Sequence, residues 1–491
     1  MDWQEEYKKR LCSAEDAVKL VKSGDRVMIP LMKQPMLLPE ALVARKDELR
    51  NVEVLMTSPM RDFGFAAEGL EESFTPLVEL FLGVHMREVS DQKRLDYLPG
   101  LFSLQFKPHH DARLYRRDVD VFMTVVTPPN KQGFCNLTAH MWNKKTYMKY
   151  AKKVIAEVDE DQTLAHGDTW VHVTEIDAFV EHTPDRLSKQ EIEEYINKIE
   201  DPERRQRMAL LLNGFEDASL RQNLGVFEEM VNKELDEALG IFGLNEPPEH
   251  VKRIGEYVSD LIKDGDCIQI GVGTPAGYLP MMGVFNDKKD LGLHTEMCAR
   301  GIGRLVRDGV ITGAHKKLFP NKAVASTWSG CDPVDLAYIE DNPKFALYDA
   351  EFVVNPLSIS QNDNHVSINN CLSIDLTGQI NAETVFGPHI YNGHGGQPES
   401  HMGAVYSKGG RAITLIPSTA LGGGASRIVP HLEEGSLVTI PRYFADHVVT
   451  EYGVARLMGK TCRQRAEELI NIAHPDFRNE LRKQAKELFY P

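Results

Sequence analysis

The chain repeats itself. Residues 17–30 read AVKLVKSGDRVMIP, and residues 258–271 read VSDLIKDGDCIQIG. One offset sets Leu20 on Leu261, Val21 on Ile262, Lys22 on Lys263 and Gly24-Asp25 on Gly265-Asp266. It continues through Val27 and Ile29 onto Ile268 and Ile270, and through Pro39 onto Pro280. Each copy has helically spaced apolar residues, a Gly-Asp break and a short alternating run, which reads as helix, turn and strand. A further apolar run follows each copy, NVEVLM at 51–56 and DLGLHT at 290–295. Chance supplies a Gly-Asp coincidence, not a match in register through three elements. The repeat therefore predicts an α/β protein of two similar open lobes, each a mostly parallel sheet wrapped by helices.

Other apolar runs fit strands of such sheets: VDVFMTVV at 119–126, KVIAEV at 153–158, ITLIP at 413–417 and LVTIP at 437–441. All are short, rich in β-branched residues and bounded by Gly, Pro or polar residues. Between the halves, roughly 184–240, runs a charged stretch beginning TPDRLSKQEIEEYINKIEDPERRQRMALLL. Its apolar residues recur at three and four with acids opposite, predicting two or three amphipathic helices, an insertion or interlobe spacer. The chain of 491 residues divides accordingly into a lobe at 1–183, a helical insertion or linker at 184–246 and a lobe at 247–491.

Composition narrows the partners. With 56 Lys and Arg against 72 Asp and Glu, the net charge of −16 argues against nucleic acid, though not against one anionic ligand in a local pocket. No apolar run approaches the roughly 18–20 residues that cross a bilayer, and the start MDWQEEYKKR lacks the basic-then-apolar order of a signal peptide. A soluble, untargeted, cytoplasmic protein without membrane contact is expected. The seven cysteines, at 12, 135, 267, 298, 331, 371 and 462, form no CxxC pair and read as free thiols.

Ligand sites of parallel sheets lie at the carboxyl ends of strands. There, in LGLHTEMCARG, stands Glu296, where the other half carries Thr57. A carboxylate on one copy of a duplicated scaffold marks a place where function diverged; a surface or capping glutamate is the alternative. Three glycine loops sit in the same half: GVGTPAGYLP at 271–280, YNGHGGQPES at 391–400 and STALGGGASRIVP at 418–430. Bare backbone amides at a helix start suit an anion or a developing oxyanion. The first loop has neither the dinucleotide fingerprint nor the lysine of a P-loop, and a tight turn is the alternative for each. His294, His389, His394 and His401 fall in or near these segments, but no HExxH or three-ligand set accompanies them, so no metal is expected. No GxSxG elbow is present, and Cys298 and Cys371 read as buried thiols.

The strings VKSGDRV, TPPNKQGFCNL, GDTWVHVTEIDAFVE, LGLHTEM, SINNCLSIDLTGQINAE, GHGGQ, SRIVP, VVTEYGVARLMGK and INIAHPDFR resemble the acetyl-CoA hydrolase/transferase family. Among the family I CoA-transferases, the likeness is closest to 4-hydroxybutyrate CoA-transferases. It covers nearly everything outside the 184–240 stretch. The resemblance implies an active site between the lobes of a homodimer and a ping-pong transfer of CoA from an acyl-CoA, often acetyl-CoA, to a carboxylic acid. It also implies Glu296 as nucleophile, carrying CoA as a transient glutamyl thioester, with no tightly bound cofactor. Asn369 and Glu451 match positions that line the family's site. Gly271, Val272 and Gly273, with Gly393, Gly395, Gly396 and Gln397, match its substrate-binding loops, and the amides of Val272, Gly273, Gly395 and Gly396 its oxyanion donors. Lys408 and Arg427 are candidates for the CoA phosphates. An acyl-CoA hydrolase on the same scaffold and a CoA- or sugar-phosphate-binding regulator without chemistry are the rival readings.

The chain departs from the family in four places. Its first strand ends in PLMKQPMLLPEA rather than glycine and small residues; after GFCNL stands TAHMWNKK, with His140, Met141 and Trp142. After GGQ the family's VDFIRGA gives way to PESHMGA, reading as loss of an arginine and an aspartate, and the third glycine loop lacks a lysine. If these loops face the acyl group, Trp142, Met141 and Met32 predict a bulkier or aromatic acid; core packing is the alternative.

Overall fold

The repeated Gly-Asp pair forms the same turn twice. Gly24 and Gly265 both take positive φ, +83° and +78°, which glycine adopts without strain. Asp25 then accepts the Lys22 amide at 2.7 Å, and Asp266 accepts the Lys263 amide at 2.7 Å. The turn launches a strand in each half, Arg26–Ile29 and Cys267–Ile270. This computed structural model describes residues 2–490 apart from 60, 184–187, 215–238 and 240–242.

Those two strands occupy the same place in two sheets of one topology. Among the described residues the first sheet runs, edge to edge, Asp96–Leu98, Phe74–Glu79, Val52–Thr57, Arg26–Ile29, Val121–Val126, Lys153–Val158 and Ala178–Glu181. The second runs Phe345–Leu347, Ala323–Ala325, Gly292–His294, Cys267–Ile270, His365–Asn370, Arg411–Leu415 and His447–Thr450. It then adds the antiparallel edge strand Gly453–Arg456. In strand number both orders are 4-3-2-1-5-6-7, parallel throughout up to that last edge. Register agrees as well: Arg26 pairs with Glu53 as Cys267 pairs with Gly292, which sets Thr57 against Glu296. The predicted α/β architecture and its internal duplication stand.

In both sheets the order reverses between the first strand and the fifth, and such a switch point opens a crevice at the carboxyl ends. In the second lobe the chain leaving Ile270 and the end of His365–Asn370 flank it. The strands around it are buried on both faces, as covered parallel sheets are.

The halves do not merely face each other. Segment 139–142 of the first pairs with the second: Trp328 donates its amide to the Ala139 carbonyl at 2.9 Å, and Trp142 to Ser326 at 3.0 Å. Leu347 donates to His166 and Asp168 to Leu347, at 2.8 and 2.9 Å. One apolar core accordingly contains Met28, Phe122 and Met141 from the first half with Ile268, Leu293 and Trp328 from the second. In the inserted stretch, helices Lys189–Asn197 and Pro202–Gly214 are seen, the former opened by a Ser188–Glu191 capping box. Of the predicted insertion at 184–246, residues 184–187, 215–238 and 240–242 lie outside the described residues.

Candidate active site

The chain leaves the buried strand Gly292–His294 at Thr295, whose amide still bonds Val324 at 3.0 Å. Glu296 follows. Its main-chain carbonyl accepts the Ser326 and Thr327 amides at 2.8 and 3.2 Å, which fixes the residue at the rung beside segment 139–142. Its side chain reaches the GHGG loop: a Cβ on Gly396 would stand 2.0 Å from Glu296 Oε2. Gly396 precedes the helix Gln397–Tyr406, so the carboxylate meets the positive end of a helix. Burial nevertheless dominates. Together with the nearby Glu399 carboxylate it pushes the Glu296 pKa up to about 8, against a smaller opposing effect of the Gly396 N–H.

Glu399 had no role in the sequence reading. Its Oε2 accepts the Phe102 amide at 3.0 Å and its Oε1 the Ser103 amide at 2.8 Å, both from the first lobe. Burial holds its pKa up at about 7, with the Ser103 and Phe102 donors pulling the other way. Set against the family's VDFIRGA, PESHMGA places Glu399 where the aspartate stands. The carboxylate read as lost is present, longer by one methylene; the arginine is replaced by Met402.

The first lobe handles its own strand end differently. Thr57 donates to Glu79 Oε1 at 2.6 Å, and Tyr147 and Gln105 also bond that carboxylate. Glu79 is thus fully engaged, whereas the Glu296 carboxylate has no ion pair or side-chain hydrogen bond among the described residues.

Around the switch point, Asn370 does what sequence reasoning did not assign. Its Nδ2 donates to the Val272 carbonyl at 2.7 Å, its Oδ1 accepts the Ala276 amide at 3.0 Å, and its carbonyl accepts Gln397 Nε2 at 3.0 Å. It therefore ties the GVG loop to the GHGG helix. Gly271 donates to Ile368, and its bare Cα faces Asn369 Oδ1, 2.4 Å from where a Cβ would stand. Gly273 takes φ +87° and accepts the Gly277 amide. The Val272 and Gly273 N–H groups have no acceptor among the described residues. Asn369 itself is buried in an amide pair with Gln269, 3.1 Å each way, and donates to Ser367 at 2.8 Å. It makes no hydrogen bond to Glu296.

Two of the loop glycines serve docking. A Cβ on Gly393 would stand 1.5 Å from the Leu80 carbonyl oxygen, and one on Gly395 2.3 Å from the Phe81 ring. Of the three, Gly396 is the one bare toward the nucleophile candidate.

Glu451 is committed to Ser418, accepting its amide at 3.0 Å and its hydroxyl, and so braces the third glycine loop. Arg427 braces the same loop through the Thr419 and Leu372 carbonyls. Lys408 is exposed just ahead of Arg411–Leu415, at the amino end of a strand and so on the edge of the sheet opposite Glu296. Met141 lies in the main core. Trp142 and Met32, by contrast, pack with Phe102 and Met297 beside the site. The histidines disperse: His294 bonds the Val353 carbonyl, His394 that of Gly395 and His401 that of Phe444. Among the described residues no three metal-ligating side chains gather. Burial pushes the Cys371 thiol up to about 12 and raises Cys298, which leaves both poor nucleophiles.

Comparison with known proteins gives the family. The family model described as acetyl-CoA hydrolase/transferase N-terminal domain matches residues 1–187, and its C-terminal counterpart matches residues 336–485. The 4-hydroxybutyrate coenzyme A transferase of Clostridium kluyveri is 35% identical, with all of both chains covered. The succinyl-CoA:cyclohexane-1-carboxylate CoA transferase of Geobacter metallireducens is 31% identical over 99% of this chain and 97% of its own. The crystal structure of RipA from Yersinia pestis superposes with a TM-score of 0.79 at 28% identity, covering 100% of both chains. The chain belongs to the acetyl-CoA hydrolase/transferase family. Within it, the chain is an enzyme of the CoA-transferase class.

Proposed function

We propose that the chain moves CoA from an acyl-CoA, acetyl-CoA among them, to a carboxylic acid by a ping-pong route through a thioester on Glu296. The observation that carries this is the state of that carboxylate. Glu399, Glu79 and Glu451 spend their oxygens on several protein donors, while Glu296 meets only the Gly396 N–H, has no side-chain partner among the described residues and leaves its remaining lone pairs for a substrate.

One Glu296 oxygen attacks the thioester carbonyl carbon, and the C–S bond breaks to give a mixed anhydride and CoA thiolate. The thiolate then attacks the Glu296 side-chain carbonyl carbon, releasing the first acid as carboxylate and leaving glutamyl–CoA. An incoming carboxylate reverses the two steps. The amides of Val272, Gly273 and Gly396 are the donors for the successive oxyanions, whereas that of Gly395 is turned to the Leu80 carbonyl at 3.5 Å. Asn369 and Glu451 serve as positioning residues, one behind Gly271 and one under the 418–427 loop. Attack needs the ionised form, so the first half-reaction of the free enzyme accelerates as pH rises toward about 8.

With this reading go a homodimer, a cytoplasmic location and the division into lobes at 1–183 and 247–491 around an insertion at 184–246. A bulkier acid pocket now rests on Trp142 and Met32 rather than Met141. Initial-rate kinetics across a panel of acids test the proposal. Parallel double-reciprocal lines, with activity abolished in Glu296→Gln, are expected. Intersecting lines, or full activity in that variant, contradict it; acceptance of short hydroxy acids only contradicts the larger pocket.

A further inference from the structure

The helix that opens at Gly396 touches both halves of the site within one turn. Gly396 lies on the Glu296 carboxylate, and Glu399, three residues on, takes the two consecutive main-chain amides of Phe102 and Ser103 from the opposite lobe. Phe102 in turn stacks on Trp142, ring centroids 5.8 Å apart at 17°. The pair packs with Leu31, Leu80, Val354 and Met297, the residue next to Glu296. An apolar wall supplied largely by the first lobe is thus pinned beside the nucleophile by one carboxylate of the second. Resting on the Glu296 reading above, we infer that Glu399 is a positioning residue that clasps this wall over Glu296 and keeps water from the glutamyl thioester, so setting the share of transfer against hydrolysis.

The chemistry makes access decisive. Water adding to the glutamyl carbonyl carbon breaks the same C–S bond that a carboxylate breaks, giving Glu296 carboxylic acid and free CoA thiol. Both nucleophiles need the same carbon and the same oxyanion donors; what separates them is which of them reaches it. Above its pKa of about 7 the ionised Glu399 makes two charge-assisted hydrogen bonds to consecutive amides, which hold a segment in one place far better than neutral ones. Glutamine at 399 keeps the shape, but its amide group turns an N–H toward one of the two main-chain donors and leaves it without an acceptor. Aspartate keeps the charge and shortens the reach by one methylene.

The test uses full-length enzyme charged with acetyl-CoA, freed of excess substrate and followed by intact mass and free-thiol release, with and without acetate. In Glu399→Gln the adduct forms, and the ratio of water-driven to acetate-driven CoA discharge rises by about tenfold or more, with Glu399→Asp in between. A role in folding alone reduces both discharges together and leaves the ratio where it was; an unchanged ratio overturns the inference. If Glu399→Gln does not fold, Phe102→Leu loosens the wall while keeping the clasp. It is expected to raise the ratio, and an unchanged ratio there overturns the inference equally. Wild-type enzyme that never acquires CoA overturns the Glu296 route itself, and the clasp with it, which distinguishes the two failures.

Discussion

A carboxylate resting on a glycine makes a methyl group a sharp probe. Gly396 has φ −88°, a conformation alanine adopts freely, so Gly396→Ala costs little as backbone. Its new Cβ would lie 2.0 Å from Glu296 Oε2 and must displace the carboxylate. The variant is expected to fold normally and lose about 100-fold or more in kcat, read by steady-state rates and thermal unfolding together. Gly393→Ala meets the Leu80 carbonyl instead and is expected to lower Tm by undocking the lobes. Glu296 also has a cost for folding. Its folded pKa of about 8 stands above the ordinary value near 4.5, so between those values the folded chain holds a proton that the unfolded chain has released. Stability therefore falls as pH rises through that window. Glu296→Gln, which does not titrate, is expected to be nearly neutral at pH 5 and to gain about 1–3 kcal/mol above pH 8, measured by denaturant unfolding at both. At this scale Glu296 was legible, because a strand end and a matching string named it. Asn370 was not: neighbours in a strand face opposite ways, and nothing in SINNC says which asparagine faces the loop. Glu399 was hidden for a related reason, since a loss counted by residue type overlooks an exchange that keeps the charge.

At the scale of elements, the strands behind Glu296 carry a buried cluster. His294 and His365 lie with ring centroids 6.1 Å apart, near the Lys316 ammonium, which is spent on the Leu293 and Lys322 carbonyls. Among the described residues both ring nitrogens of His365 lack a partner, and burial pushes its pKa down to about 3; His294 is depressed in the same direction. The folded chain keeps these rings neutral while the unfolded chain protonates them, so their contribution is present above pH ~6.5 and is lost as pH falls below it. His365→Phe is expected to flatten the acid side of the stability curve by up to about 1.4 kcal/mol per pH unit. Unfolding midpoints at pH 5, 6 and 7 check this; an unaltered slope contradicts it. The Gly-Asp turns and their strands were readable because turn chemistry and alternation are local. Segment 139–142 was not readable as a pairing element, because TAHMW has no strand periodicity and its hydrogen bonds go to residues nearly two hundred positions away.

For the whole molecule, the repeat announced two like, mostly parallel sheets, since a duplicated helix–turn–strand start constrains the elements downstream of each copy alike; the order of their strands came from the structure. Nor did the repeat carry how the copies meet. A core shared by Met28 and Leu293, and a seam stitched by Glu399 and Trp142, depend on contacts that no local pattern encodes. That seam makes the two lobes one machine, with the nucleophile candidate from one and its apolar wall from the other. The account stands on the claim that Glu296 becomes covalently attached to CoA. Intact-protein mass after mixing with acetyl-CoA alone, followed by peptide mapping of the trapped species, tests it most directly. A CoA-sized increment on the peptide holding Glu296, absent in Glu296→Gln, is the predicted result. Turnover to a second acid with no increment, or an increment mapped elsewhere, would contradict it.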